Sequence, residues 1–276
     1  MSERAAILQF AEELRAVREQ IRRDIAPNDT VQRVLRVLEE LGQRLQQPPR
    51  IAIVGEANSG KTSLANALIG QDVLVTDLLG NTRATTLVKY AEASAVYLIG
   101  SNGNREAVTE KSLEAVEKGQ VYALEIGLPS ERLREFEIMD NPGLSARDEG
   151  FVRLEQTLRQ ADLAIWCTLA TQAWKQSESS LWSAADQHIK PFSLLLATHA
   201  DALSGSDAHK VTQRLEREAG PQFGDIALVS LREAPATARH GLGDLLTKLD
   251  TMLSRVNRKR LDAARRILHR MTLQLR

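Results

Sequence analysis

Ile51-Ala52-Ile53-Val54-Gly55-Glu56-Ala57-Asn58-Ser59-Gly60-Lys61-Thr62 decides the fold of this chain. The four apolar residues read as a buried strand, and the eight that follow read as a phosphate-binding loop. The spacing has a physical reason. Gly55 and Gly60 let the backbone wrap so that its N–H groups converge on phosphate oxygens, Lys61 adds a point charge, and the Thr62 hydroxyl can reach Mg²⁺. Residues 63–69 then have helical spacing, which sets the phosphates at a helix N-terminus, where peptide dipoles favour negative charge. Gly55, Glu56, Ala57, Asn58, Ser59, Gly60, Lys61, Thr62 and Ser63 are therefore the candidate phosphate-binding residues. The competing reading is a Gly-rich turn without a ligand. The strand before the loop and the helix after it argue against that.

Outward from the loop, short β-like runs alternate with helical segments: residues 51–54, 86–90, 95–99, 136–139, 163–168, 192–197 and 226–229 are the strands. This predicts an α/β domain around a mostly parallel central sheet. Residues 100–127 read as a polar segment decorating the sheet, with a helical part near 111–117 and no chemistry of their own. Upstream, Ile7, Phe10, Leu14, Val17, Ile21 and Ile25 recur at helical spacing until Pro27-Asn28-Asp29 breaks the pattern. A second stripe, Val31, Val34, Leu35, Leu38, Leu41 and Leu45, ends at Pro48-Pro49. After Gly241 one helical pattern runs to the end, through Leu245, Leu249, Met252, Val256, Ala264, Leu268 and Leu275. From Arg255 onward it is basic, with Arg258, Lys259, Arg260, Arg265, Arg266, Arg270 and Arg276 against the lone acid Asp262. These terminal stripes need partners, and the simplest partners are each other, as a small helical bundle. The expected division is 1–48 for N-terminal amphipathic helices, 49–243 for the nucleotide domain and 244–276 for the basic C-terminal helix.

The bulk numbers bound the function. Among 276 residues, 36 basic and 36 acidic side chains leave a formal net charge of +0, so no overall field argues for nucleic acid. The one cysteine, Cys167, lies in an apolar run and reads as a small buried hydrophobe, with a reducing compartment as the default. No apolar run approaches the ~18 residues of a membrane span, and the amino terminus lacks a signal peptide's apolar centre. A cytoplasmic protein is expected, with any membrane contact peripheral and at the inner face.

Further elements name the nucleotide. Strand 136–139 runs into Asp140-Asn141-Pro142-Gly143, where Asp140 can hold the Mg²⁺ water shell and the Gly143 N–H can sense a γ-phosphate. Strand 192–197 leads into Thr198-His199-Ala200-Asp201, whose terminal carboxylate can accept two hydrogen bonds from the N1 and N2 edge of guanine; adenine offers no such donor pair. Residues 227–230 end another strand, and Ser230 stands where backbone N–H groups can meet a guanine carbonyl. In order and spacing these elements resemble the G-domain GTPases, from Arg50 to about Leu249. Carried over, Gly55 to Thr62 resembles the G1 element, Asp140 to Gly143 resembles G3, Thr198 to Asp201 resembles G4, and Ser230 falls at G5. The resemblance implies GTP and GDP as ligands, Mg²⁺ as cofactor, Thr62 and Asp140 as metal-site residues, and Gly143, Thr198, His199, Asp201 and Ser230 as nucleotide contacts. It also implies a switch threonine that closes over Mg²⁺, with Thr82 preferred over Thr85 and Thr86. Thr82 would then be both metal ligand and catalytic, alongside Lys61. Asn58 to Gly70, the segment 127–133 and the flanking helices are similar to bacterial dynamin-like GTPases. That similarity implies pairing of G domains, in a homodimer or with a related partner.

Two departures bear on chemistry. His199 replaces the usual lysine of G4 and can stack on the base instead. Leu144 occupies the position after the G3 glycine where many G proteins carry the glutamine that orients water, and it cannot hydrogen-bond. Another device is needed, and Asn58 sits where cation-dependent members use asparagine to help bind K⁺ near the phosphates; the alternative is a hydrogen bond within the loop. Arg83 reads as a solvated loop arginine more readily than as an arginine finger. Trp166, Trp174 and Trp182 read as core or contact residues rather than base-stacking groups. Two outputs follow: work on an anionic membrane surface through the basic helix, or regulation of ribosome or RNA assembly. A bundle helix whose basic face meets solvent or acidic neighbours is the plainer account of that helix. A nucleotide-binding module without turnover ranks last.

Overall fold

The computed structural model describes residues 3–74, 85–100, 104–108, 121–144, 148–231 and 241–275. The chain divides into two compact units, Pro49–Leu249 and Met1–Pro48 with Asp250–Arg276.

The larger unit is an α/β domain. Its strands are β1 (Arg50–Gly55), β2 (Thr85–Tyr90), β3 (Ala95–Gly100), β4 (Arg105–Ala107), β5 (Val121–Leu128), β6 (Glu137–Asp140), β7 (Leu163–Leu169), β8 (Ser193–Thr198) and β9 (Asp225–Leu228). They form one sheet in the order β4-β3-β5-β2-β6-β1-β7-β8-β9. The strands from β6 to β9 in that order pair in parallel, whereas β2 runs antiparallel to β6 and β3 antiparallel to both β4 and β5. β1, β7 and β8 are near-continuous apolar runs because both faces of a parallel sheet are covered. Parallel pairing brings the carboxyl ends of β1, β6, β8 and β9 to one edge of the sheet, where open α/β sheets place their ligands.

The sequence reading of residues 100–127 as a decoration is corrected here. Arg105–Ala107 and Val121–Leu128 are strands, and β5 lies inside the sheet between β3 and β2. Glu125 interrupts the apolar pattern of β5 and hides it. In the fold that carboxylate is neutralised by Lys89 of the adjacent β2 at 3.0 Å and by Arg105 of β4, on the far side of β3, at 2.7 Å, so the strand tolerates its burial. The helical part expected near 111–117 lies outside the described residues.

Behind the ligand edge, Trp166, Trp174 and Trp182 are all buried and meet Phe223 in a chain of ring contacts, with centroids 4.6–6.0 Å apart. They are core residues, in keeping with the expectation. Cys167 is fully buried, and burial pushes its thiol up to about 12, so it behaves as a small hydrophobe.

In the smaller unit, α1 (Glu3–Asp24) and α2 (Asp29–Gln46) turn at Pro27, and the Asn28 side chain caps α2 by accepting from the Val31 N–H at 2.9 Å. Their stripes bury Ile7, Leu14, Val34 and Leu38 completely, against Leu261 and Ala264 of the last helix. That helix spans Leu242–Leu273, and its residues from Asp250 belong to this unit. Its charged side packs as a bundle helix does: Arg258 pairs with Glu3 at 3.0 Å, and Arg260 donates to the carbonyls of Arg44 and Gln47. Among the described residues no helix is long and apolar enough to cross a membrane.

Candidate functional site

β1 delivers Gly55 at the sheet edge, and α3 (Lys61–Ile69) starts six residues later. Between them the loop turns twice through left-handed backbone, at Asn58 (φ 60°) and Gly60 (φ 83°). Gly60 also packs against Thr198, whose side chain lies 3.3 Å from where a Cβ would sit, so no other residue fits there without strain. The Lys61 ammonium is buried and donates to the Glu56 carbonyl at 2.6 Å, and the Ser59 hydroxyl donates to the same carbonyl at 2.9 Å. Burial pushes Lys61 below the ordinary lysine range.

Asp140, at the end of β6, accepts from the Thr62 hydroxyl at 3.2 Å through Oδ2. Its Oδ1 is buried without a hydrogen-bond partner. Burial pushes the carboxyl up to about 6, against the pull of Lys61 and Thr62. An orphaned carboxylate oxygen beside a hydroxyl is a hard oxygen donor pair, which fits Mg²⁺, an ion that takes few protein ligands and keeps water and phosphate oxygens. Among the described residues no group of three or more His, Cys, Asp or Glu able to hold a metal occurs.

The chain after Asp140 is fastened to the loop. Leu144 N–H donates to the Gly55 carbonyl at 3.0 Å, and a Cβ on Gly143 would stand 2.7 Å from the Ala57 Cα, so Gly143 must be glycine for the two segments to touch. The Leu144 side chain is buried in the core.

On the far side, Thr198 is completely buried, with its hydroxyl 2.9 Å from the Ser59 carbonyl and 3.1 Å from the Thr168 carbonyl. It ties β8 to the phosphate loop rather than presenting a hydroxyl to solvent. His199 is exposed at φ 57°, its Nδ1 3.0 Å from the Thr198 hydroxyl. The exposed Asp201 accepts from the buried Ser230 hydroxyl at 2.8 Å. Ser230 therefore orients the carboxylate with its side chain, a role that the sequence alone does not show.

Thr82 and Arg83 lie outside the described residues. Thr85 begins β2 and donates to the Asn141 Oδ1 at 2.9 Å, and Thr86 is buried opposite Asp140 in the β2–β6 ladder. The Asn58 side chain is exposed and makes no hydrogen bond among the described residues.

Sequence reasoning misses a second set of contacts. Glu56 is bound through its carboxylate by Lys175 Nζ at 3.1 Å and Ser177 Oγ at 2.5 Å, from a segment 119 residues and more downstream. Burial raises this carboxyl, but Ser177, Lys175 and Lys61 outweigh it and hold Glu56 below the usual range. Only the fold brings these residues together.

A family model described as 50S ribosome-binding GTPase matches residues 50–198. Dynamin-like protein 2 of Campylobacter jejuni is 28% identical over 225 residues, which is 78% of this chain and 37% of the relative. Isoniazid-induced protein IniC of Mycobacterium tuberculosis is 33% identical over 116 residues, 40% of this chain and 24% of the relative. The chain thus spans well under half the length of these curated relatives. A solved structure of an oligomerised bacterial dynamin pair, described as sensing and tethering membranes, superposes on 100% of this chain and 56% of its own, with a TM-score of 0.65 at 19% identity. The chain belongs to the 50S ribosome-binding GTPase family, whose match takes in the phosphate loop, Asp140 and Thr198.

Proposed function

We propose that this protein is a dynamin-like GTPase whose G domains pair across the nucleotide and pass its state to the helical bundle, acting at an anionic membrane surface. The observation that carries the catalytic half of this reading is Asn58. It stands exposed in left-handed backbone at the phosphate loop, with an amide that makes no hydrogen bond among the described residues, while Leu144 is buried and unable to orient water. An unengaged amide supports the cation role over the alternative of a bond within the loop.

In this reading the loop N–H groups and Lys61 receive the phosphates, with Lys61 leaving the Glu56 carbonyl to do so. Thr62 and Asp140 hold Mg²⁺, with Thr82 the switch threonine; the ion, when bound, neutralises developing phosphate charge. The Gly143 N–H faces the γ-phosphate, and the Asp201 carboxylate, oriented by Ser230, accepts from guanine, with His199 against the base. The Asn58 oxygen would help to hold a K⁺, which would supply positive charge in place of an arginine finger. A second G domain across the nucleotide completes the cation's surroundings.

The output half draws support from the C-terminal helix, where Arg255, Lys259, Arg265, Arg266 and Arg270 are exposed. Basic residues near anionic lipid contribute about 1 kcal/mol each. The family description favours a second reading, regulation of ribosome or RNA assembly, in which the same side chains meet RNA phosphates.

The test is GTP turnover across protein concentration in K⁺ and in Na⁺. Specific activity that rises with concentration, and roughly tenfold or more in K⁺ over Na⁺, is expected. Turnover insensitive to both sinks the cation-assisted, paired mechanism. Sedimentation with anionic liposomes against RNA binding separates the two outputs, and salt-sensitive binding to liposomes is the expected result.

A further inference from the structure

Trp174 has φ 60°, a left-handed conformation that a residue with a bulky side chain avoids. It is nevertheless buried and firmly held. Its ring meets Trp166 edge-on at 6.0 Å and Phe223 at 5.3 Å. The next residue is fixed by Glu178, a buried carboxylate that accepts from the Lys175 N–H at 2.9 Å, the Thr168 hydroxyl at 2.9 Å and the Trp166 indole N–H at 3.3 Å. Strained backbone of this kind persists only where the surroundings over-determine it, and it clusters at functional sites.

The strained turn has an identifiable consequence. It starts α5 (Gln176–Ser183), which follows α4 (Asp148–Leu158) in the chain, so that Lys175 and Ser177 both reach Glu56 of the phosphate loop. The two donors take different oxygens of one carboxylate, a two-point grip that fixes orientation as well as distance. The main-chain carbonyl of the same Glu56 is where the Lys61 ammonium and the Ser59 hydroxyl rest. One residue is thus held from outside the loop by its side chain and holds the phosphate-binding lysine from inside the loop by its carbonyl.

We propose that Lys175 and Ser177 are positioning residues of the nucleotide site: by gripping Glu56 they keep the phosphate loop open and Lys61 parked beside the place the phosphates enter. The proposal rests on the reading of that loop as the nucleotide site. When phosphates arrive, Lys61 exchanges a carbonyl for a phosphate oxygen, and the loop does not have to reorganise because Glu56 stays gripped. Pre-organisation of this kind raises affinity by lowering the ordering cost of binding. Lys175 also cancels a carboxylate charge on a loop that has to receive a polyanion. The strain at Trp174 is tolerated because it aims the grip.

The test is equilibrium binding of a fluorescent GDP analogue with Mg²⁺, steady-state GTP kinetics and thermal unfolding for Lys175→Ala, Lys175→Arg and Ser177→Ala in the full chain. Lys175→Ala should weaken GDP binding and raise KM roughly tenfold, the scale of a charge-assisted hydrogen bond, with kcat within about twofold. Lys175→Arg should restore most of the loss, and Ser177→Ala should show a smaller loss in the same direction. GDP affinity of Lys175→Ala within about twofold of the parent overturns the proposal. So does a loss that Lys175→Arg does not restore, because that pattern assigns the residue to packing. If Lys175→Ala does not fold, Ser177→Ala decides, with unchanged affinity counting against the grip. A parent protein that binds no GDP removes instead the reading of the loop as a nucleotide site.

Discussion

Asp140 sets the conflict between stability and function at the scale of single residues. Its carboxyl is buried with one oxygen unpartnered, and its pKa is raised to about 6. The unfolded chain ionises this group near pH 4, so between the two values the folded state binds the extra proton. Stability of the nucleotide-free protein is therefore lost as pH rises through that window, by about 3 kcal/mol at most. Asp140→Asn should melt higher than the parent at about pH 8 in the absence of Mg²⁺ and nucleotide, and the advantage should fade below about pH 4. The same variant should lose Mg²⁺-dependent GTP hydrolysis. An equal melting difference at both pH values contradicts the account. Gly143 gives a second test: Gly143→Ala puts a methyl 2.7 Å from the Ala57 Cα and should lower kcat roughly a hundredfold by displacing the loop. The strand-end positions of the phosphate loop, Asp140 and Asp201 were legible in the sequence because each belongs to a local pattern. The contacts that orient them, Ser230 on Asp201 and Lys175 on Glu56, were not, since they join residues 29 and 119 positions apart.

Individual elements were legible where burial made them uniform. β1, β7 and β8 are near-continuous apolar runs, so their composition alone identifies them. β5 was not, because Glu125 is acceptable in a strand only when Lys89 arrives from β2 and Arg105 from β4. The start of α5 is similar. Glu178 is buried and accepts from three donors that only the fold brings to it. Removing it orphans the Trp166 indole, the Thr168 hydroxyl and the Lys175 N–H together. Glu178→Ala should cost about 2–4 kcal/mol in urea unfolding. A loss under about 1 kcal/mol would mean that the three donors find other partners. In the bundle, Leu38 is fully buried between the helices, and Leu38→Ala should cost about 2–5 kcal/mol of that unit's stability.

For the whole molecule the sequence predicted both the α/β domain and the terminal helices, since the period of apolar residues changes from helical to strand-like at Pro48-Pro49 and back after Gly241. The α/β unit extends to Leu249, so the last helix begins within it and continues in the bundle unit. Periodicity does not mark that change, because the helix is uninterrupted. The central claim is that the sheet edge is a guanine-nucleotide site at which GTP is hydrolysed, and the direct measurement is phosphate release from GTP and from ATP with Mg²⁺, for the parent and Lys61→Ala. The account predicts turnover of GTP with ATP lower by about ten-thousandfold, the discrimination expected when a site built to accept two donors meets a base without them, and loss of GTP turnover in Lys61→Ala. Equal rates with GTP and ATP, or a Lys61→Ala variant as active as the parent, would contradict it.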